Sequence, residues 1–113
     1  MTTPTLYVFK LKSGKLNKYL NFINDLCNNK QDDYREILLR YGLNDVRLWH
    51  QNIDGDDYAM FIHNQDDDAS KKLKLWNTTG DKFEEFFGEV LGDCYVDFRA
   101  EQPKFVNAFD AKS

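Results

Sequence analysis

The chain has two histidines, His50 and His63, and both lie in the stretch RLWHQNIDGDDYAMFIH. Two imidazoles on neighbouring strands are the first arrangement to test for a shared metal or an acid–base couple. Asp54-Gly55 separates two apolar-rich runs and is a strong hairpin signal. A two-residue turn at that point sets residues whose numbers sum to 109 opposite one another, so His50 faces Ala59 and His63 faces Val46. The two rings then share a face but lie about four residues apart along the strands, roughly 13 Å at ~3.3 Å per residue. Zinc ligands bond at about 2 Å, so this spacing does not suit one ion, and neither a metal nor another cofactor is expected. The acids of NIDGDD lack the ligand spacing and closing Glu of a calcium loop and read as a turn. Cys27 and Cys94 show no CxxC spacing and read as packed, reduced thiols. There is no GxGxxG, P-loop or GxSxG signature.

The remaining chemistry lies on the opposite face of the hairpin, which carries Arg47, Trp49, Gln51, Tyr58, Met60 and Ile62. Sorting the outer strands by composition groups Leu6, Val8, Val46, Leu48, Ala59, Phe61, Cys94, Val96 and Phe98 as an aliphatic face suited to lie under helices. The other face then gathers Tyr7, Phe9, Tyr95, Asp97 and Arg99 with the hairpin's aromatic and charged residues. On this grouping Asp97 is the candidate catalytic acid or base, and Arg47 and Arg99 are candidates for binding an anion or hydroxyl. Tyr7, Trp49, Tyr58 and Tyr95 would form the ligand walls. A competing reading has Asp97 and Arg99 pairing with polar groups at an interface. A sheet face this aromatic should not stay bare on a soluble monomer. A second copy of the sheet would cover it, giving a homodimer through the sheet face with a partly polar cavity for a small molecule.

These residues need a scaffold. Residues 5–11 alternate and read as a first strand. Ser13 can cap a helix whose stripe runs through Leu16, Leu20, Ile23 and Cys27, widened by Tyr19 and Leu26. NNKQ, at 28–31, interrupts the pattern. A second helix starts at Asp32–Asp33, with Tyr34, Ile37, Leu38 and Tyr41 on one face and Gly42 as its left-handed cap. Strands at 45–52 and 57–63 flank the Asp54-Gly55 turn. Asp66, Asp67 and Asp68 precede a short helix lined by Ala69, Leu73 and Trp76, and Thr78-Thr79-Gly80 breaks it. Asp81 and Glu84 resemble a capping box for a helix with Phe83, Phe86, Phe87, Val90 and Leu91, ended by Gly92. CYVDFR, at 94–99, reads as the last strand, and a tail covers about 103–113. The fold class is therefore α+β, a ferredoxin-like β-α-β-β-α-β order with a four-stranded antiparallel sheet and both helical regions broken in two.

The YAMFIH strand, the Asp-rich helix start and Asn77-Thr78-Thr79-Gly80 leading into FEEFFGEVL together resemble the dimeric α/β-barrel superfamily, in particular L-rhamnose mutarotases and small relatives of them. Other members of that superfamily are cofactor-free monooxygenases and haem-handling proteins. The resemblance implies two ferredoxin-like subunits packed sheet to sheet. Mutarotases rely on a histidine in the first helix, where KLNKYLNFINDLCNNKQ has none. Phe86-Phe87 stands here against a pair of tryptophans in their later helix. The resemblance is therefore carried to the fold rather than to the sugar chemistry.

At 113 residues the chain is one domain spanning 1–113. A net charge of −4 without a clustered basic face argues against nucleic acid as a partner. No apolar run approaches the ~18 residues of a membrane span. MTTPTLYVFK has no signal-peptide pattern, so no membrane partner and a cytoplasmic location are expected. Two functions stay open: an enzyme acting on a sugar-like or aromatic metabolite, and a non-catalytic ligand-binding or interaction module.

Overall fold

The computed structural model describes residues 2–112, and its organising unit is the hairpin. Asp54 (φ 51°) and Gly55 (φ 89°) both adopt positive φ, the requirement of a two-residue type I′ turn. Gly55 N–H also donates to Asn52 Oδ1 at 3.2 Å. The turn joins β2 (Leu43–Ile53) to β3 (Asp56–Asp66). His50 pairs with Ala59 and Val46 with His63, the register that the two-residue turn predicts, and the pairing shifts between Leu43 and Asp45. β1 (Thr2–Lys10) starts three residues before its expected beginning and pairs antiparallel with β3 along its whole length. The result is a three-stranded antiparallel sheet in the order β1-β3-β2.

Four helices complete an α+β fold: α1 (Leu16–Asn29), α2 (Gln31–Arg40), α3 (Ala69–Leu73) and α4 (Lys82–Cys94). Both helical regions are broken in two. Lys30, at φ −128° and ψ 38°, separates α1 from α2. α1 begins at the Lys15 cap position without a side-chain cap, so Ser13 does not serve there. Its buried residues are Tyr19, Phe22 and Leu26, spaced by three and four. Cys27 lies one helical step beyond that stripe and is exposed, whereas Cys94 is buried. α2 ends as expected, with Gly42 at φ 72° beyond it. The Asp81 side chain caps α4 by accepting from Glu84 N–H at 2.9 Å. The helix runs through Gly92 to Cys94, because a glycine without a positive φ does not force an end. Among the described residues, no helix is long and apolar enough to cross a membrane.

The segment expected as a fourth strand takes a different form. Cys94 belongs to α4, and Tyr95 makes a single antiparallel bridge with Leu11, just past the end of β1. Val96 N–H donates to Lys10 O at 2.9 Å, and then the chain turns. Asp97 Oδ1 accepts from Arg99 N–H at 2.9 Å, and Asp97 O accepts from Ala100 N–H. The local bonds that an aspartate side chain offers its own backbone prevail over the strand propensity of its neighbours. Beyond the turn, Gln102 Oε1 accepts from Val8 N–H at 2.7 Å, so a side chain satisfies part of the free edge of β1. The bridge falls on the edge where the last strand of a ferredoxin-like order would lie, and the fold is compatible with that order.

Register also corrects the phase of β1. Tyr7 pairs with Phe61, which pairs with Leu48, so these three share a face. Leu6 pairs with Ile62, which pairs with Arg47, on the other face. Phe9, Ala59 and Tyr95 join the core with Tyr19, Leu26, Phe87 and Leu91 from the helices, while Leu6 is 41% exposed. The helix-covered face is thus the more aromatic one on β1. Tyr7 and Phe9 bury more apolar area there than Leu6 and Val8 would.

Candidate functional site

Rings dominate the helix-covered face of the sheet. Tyr7 and Phe61 stack with centroids 5.3 Å apart, Phe9 and Phe61 at 5.9 Å, and Phe9 lies nearly parallel to Tyr95 at 4.4 Å. His63 packs at one end of this stack, 5.3 Å from Tyr7 and 5.1 Å from Phe61. Above it, α1 contributes Tyr19 and Ile23, α2 contributes Tyr34, Ile37 and Leu38, and α4 contributes Phe87 and Leu91. Leu73 of α3, Trp76 just after it, Phe98 and Gln102 complete the wall, with Leu43, Val46 and Leu48 on the β2 side. Between the two layers lies a partly open cavity of about 340 Å³. Such a volume is within the range of small-molecule sites.

The electrostatics are uniform. Among the described residues, no Asp, Glu, Lys or Arg lines the cavity. Burial depresses the pKa of His63 to about 4, so its imidazole is neutral at pH 7. Its Nδ1 is buried without a hydrogen-bond partner. Burial also raises the phenol pKa values of Tyr19, Tyr34 and Tyr95, which keeps these groups as hydroxyls rather than phenolates. The Tyr7 hydroxyl oxygen accepts from Gln65 Nε2 at 2.9 Å. Gln102 is engaged at both ends of its amide, with Val8 N–H and with Ala100 O. The arrangement can enclose a neutral, apolar molecule and offer it a neutral imidazole.

The site residues expected from sequence fall into three places. Tyr7 and Tyr95 line this cavity. Arg47, Trp49 and Tyr58 lie on the opposite sheet face, where Trp49 is 52% exposed. Asp97 and Arg99 are exposed in the turn that follows the Tyr95 bridge. Within one chain the seven therefore do not form one constellation. His50 is engaged at the hairpin end, with Nε2 2.8 Å from Asp57 Oδ1. Among the described residues, no three or more of His, Cys, Asp and Glu are grouped to hold a metal ion.

Sequence reasoning missed His63, Tyr34 and Trp76 as lining residues. The signal for His63 was present, since alternation sets this histidine with Val46, Leu48 and Phe61 at the apolar end of that face. Nothing local distinguishes Tyr34 and Trp76 from ordinary core residues on helical stripes. Comparison of the chain with protein-family models, with curated proteins and with solved structures finds no match.

Proposed function

We propose that the protein is a small-molecule-binding module, taking an uncharged and largely apolar molecule between its sheet and its helices. The observation that carries this reading is a cavity of about 340 Å³ whose lining, among the described residues, is aromatic and aliphatic apart from His63 and Gln102 and holds no Asp, Glu, Lys or Arg. Protein interiors normally close such voids, because unfilled apolar volume forfeits packing contacts. Of the two functions left open by the sequence, this favours binding over turnover, since Asp97, the residue nominated for catalysis, lies outside the cavity. The free thiols of Cys27 and Cys94 fit a reducing compartment, and we place the protein in the cytoplasm on that ground. Thermal denaturation against a library of neutral ring compounds tests the proposal. A ligand present at a hundred times its Kd adds about 2.7 kcal/mol. For a domain of this size that is a rise in Tm on the order of 10 °C. Val46→Phe, which places a ring in the cavity, should abolish the rise. A library that leaves Tm unchanged, or a rise that survives Val46→Phe, defeats the reading.

A second reading concerns assembly. Leu6 of β1 and Trp49 and Ile53 of β2 are exposed large apolar residues on the outer face of the sheet. They support a homodimer that pairs this sheet face with its copy, the arrangement of a dimeric α/β barrel. In such a dimer Tyr95 and the residues after it would extend the sheet as a fourth strand, and Arg47 of one protomer would approach Asp97 or Arg99 of its partner.

A further inference from the structure

Given that the cavity is a binding site, the hydrogen-bonding state of its wall narrows the ligand class. Tyr7, Tyr19, Tyr34 and Tyr95 bring four phenol groups to that wall. The Tyr7 oxygen accepts from Gln65 Nε2, and the Tyr19 and Tyr95 hydroxyls bond each other. Tyr34 differs from these. Among the described residues, its hydroxyl has no hydrogen-bond partner.

That hydroxyl is also open. Tyr34 is half-buried, and among the described residues only His63 Nδ1 is both unpartnered and sealed from contact with water. The unpartnered Tyr34 oxygen is therefore reachable by a small molecule. It does not stand in bulk solvent, because burial holds its pKa above the usual phenol value, with the Cys27 thiol and the Tyr19 hydroxyl adding to the rise. An oxygen that is desolvated and still reachable borders an internal hollow.

Tyr34 lies on α2 where two hollows meet. Its ring packs against Phe87, a wall residue of the main cavity, with centroids 5.9 Å apart. With Leu38 and Leu43 it also borders a second hollow of about 260 Å³, beside Cys27 and Arg35. Of the two groups that act on its hydroxyl, Cys27 lines the second hollow and Tyr19 lines the main cavity. The Trp76 indole nitrogen is placed differently. It lies 3.9 Å from where a Cβ on Gly88 would stand, and Gly88 is not part of the described wall.

We propose that the cavity takes an uncharged, mainly apolar molecule whose carbonyl oxygen accepts a hydrogen bond from the Tyr34 hydroxyl. A phenol donates through its O–H, and a carbonyl accepts without bringing a proton of its own to be satisfied. A ligand N–H would meet a wall whose amide oxygen, on Gln102, already accepts from Val8 N–H. An apolar cavity of about 150 Å³ holds benzene. The volume of about 340 Å³ here leaves room for a ring with a short chain bearing the carbonyl. A carboxylate is disfavoured, because among the described residues no Lys or Arg lines the cavity to pair with it.

Isothermal titration of the full chain at pH 7 with butylbenzene, benzylacetone and hydrocinnamate tests this class. The three share a phenyl ring and differ at the end of the chain as hydrocarbon, ketone and carboxylate. Tyr34→Phe removes a hydroxyl that bonds nothing in the protein, so the fold should persist. Benzylacetone should bind this variant about tenfold more weakly than the unaltered protein, while butylbenzene binds both equally. Comparing each probe across the two proteins cancels the different hydration of the probes. Hydrocinnamate should bind the unaltered protein weakest of the three. Independently of any variant, the infrared carbonyl stretch of bound benzylacetone should lie below its position in hydrocarbon solvent. Benzylacetone affinity unchanged by Tyr34→Phe, an equal loss for butylbenzene, tight binding of hydrocinnamate, or an unshifted carbonyl stretch overturns the carbonyl contact and leaves the cavity as a binding site. Failure of all three probes to bind overturns the binding site itself, and the carbonyl contact with it.

Discussion

Two ionisable residues, His63 half-buried and Glu84 buried, show what single side chains contribute here. His63 is held neutral because burial penalises its charged form, which lowers its pKa from 6.5 to about 4. The unfolded chain therefore takes up this proton before the native one does. Stability is unaffected above about pH 6.5 and falls as pH drops from there to about 4, by on the order of 3 kcal/mol in full. Urea denaturation across that range should show the fall in the unaltered protein and a distinctly smaller one in His63→Phe. Glu84 is fully buried yet well satisfied. Its carboxylate accepts from Arg40 Nη1, the Tyr41 hydroxyl and Asn77 N–H, each at 2.6 Å. Burial and this carboxylate push the Tyr41 pKa up to about 12, so the hydroxyl keeps the proton it donates. Glu84→Ala leaves three donors without their acceptor, one of them a cation. It should cost about 3–5 kcal/mol, whereas Tyr41→Phe should cost nearer 1–2 kcal/mol, both read from denaturant midpoints.

Turns and ends govern the behaviour of the elements. Gly55 and Gly42 both adopt positive φ, where a side chain costs about 1–2 kcal/mol. Only Gly42 is also crowded: a Cβ there would lie 3.3 Å from Asp66 Cβ and 3.4 Å from Ala69 Cβ. Gly42→Ala should therefore destabilise more than Gly55→Ala. Equal losses in chemical denaturation would contradict this difference. The C-terminal segment divides in the same physical way. Residues 103–112 are exposed, so truncation after Gln102 should leave Tm within a few degrees. Truncation after Tyr95 removes Val96 and Gln102 from the edge of β1, and Phe98 and Gln102 from the cavity wall. An uncovered strand edge invites pairing with other chains, so light scattering should rise and ligand binding should weaken.

For the whole molecule the open question is the uncovered sheet face. If it pairs with a copy of itself, sedimentation at micromolar concentration should give a dimer, and the Trp49 fluorescence should be that of a buried indole. Trp49→Glu should return the protein to a monomer without loss of ligand binding, because Trp49 lies on the face away from the cavity. A monomer in the unaltered protein would remove the barrel arrangement and leave the ligand cavity intact.

The sequence by itself determined what depends on neighbours along the chain. The Asp54-Gly55 turn set the hairpin register, Gly42 and Asp81 marked the ends of helices, and periodicity gave the α+β order. Tertiary structure decided what depends on energies compared across the fold. Both rows of β1 are apolar, so alternation alone could not say which faces the helices. The answer came from packing, where Tyr7 and Phe9 complete a ring stack with Phe61 and Tyr95. The extent of the last strand likewise turned on a competition. α4 continued through Gly92, and the bonds Asp97 makes to its own backbone ended the pairing after one bridge. The cavity belongs to this second class. His63, Tyr34 and Trp76 come from separate parts of the chain and meet only because large rings on both layers hold the helices away from the sheet.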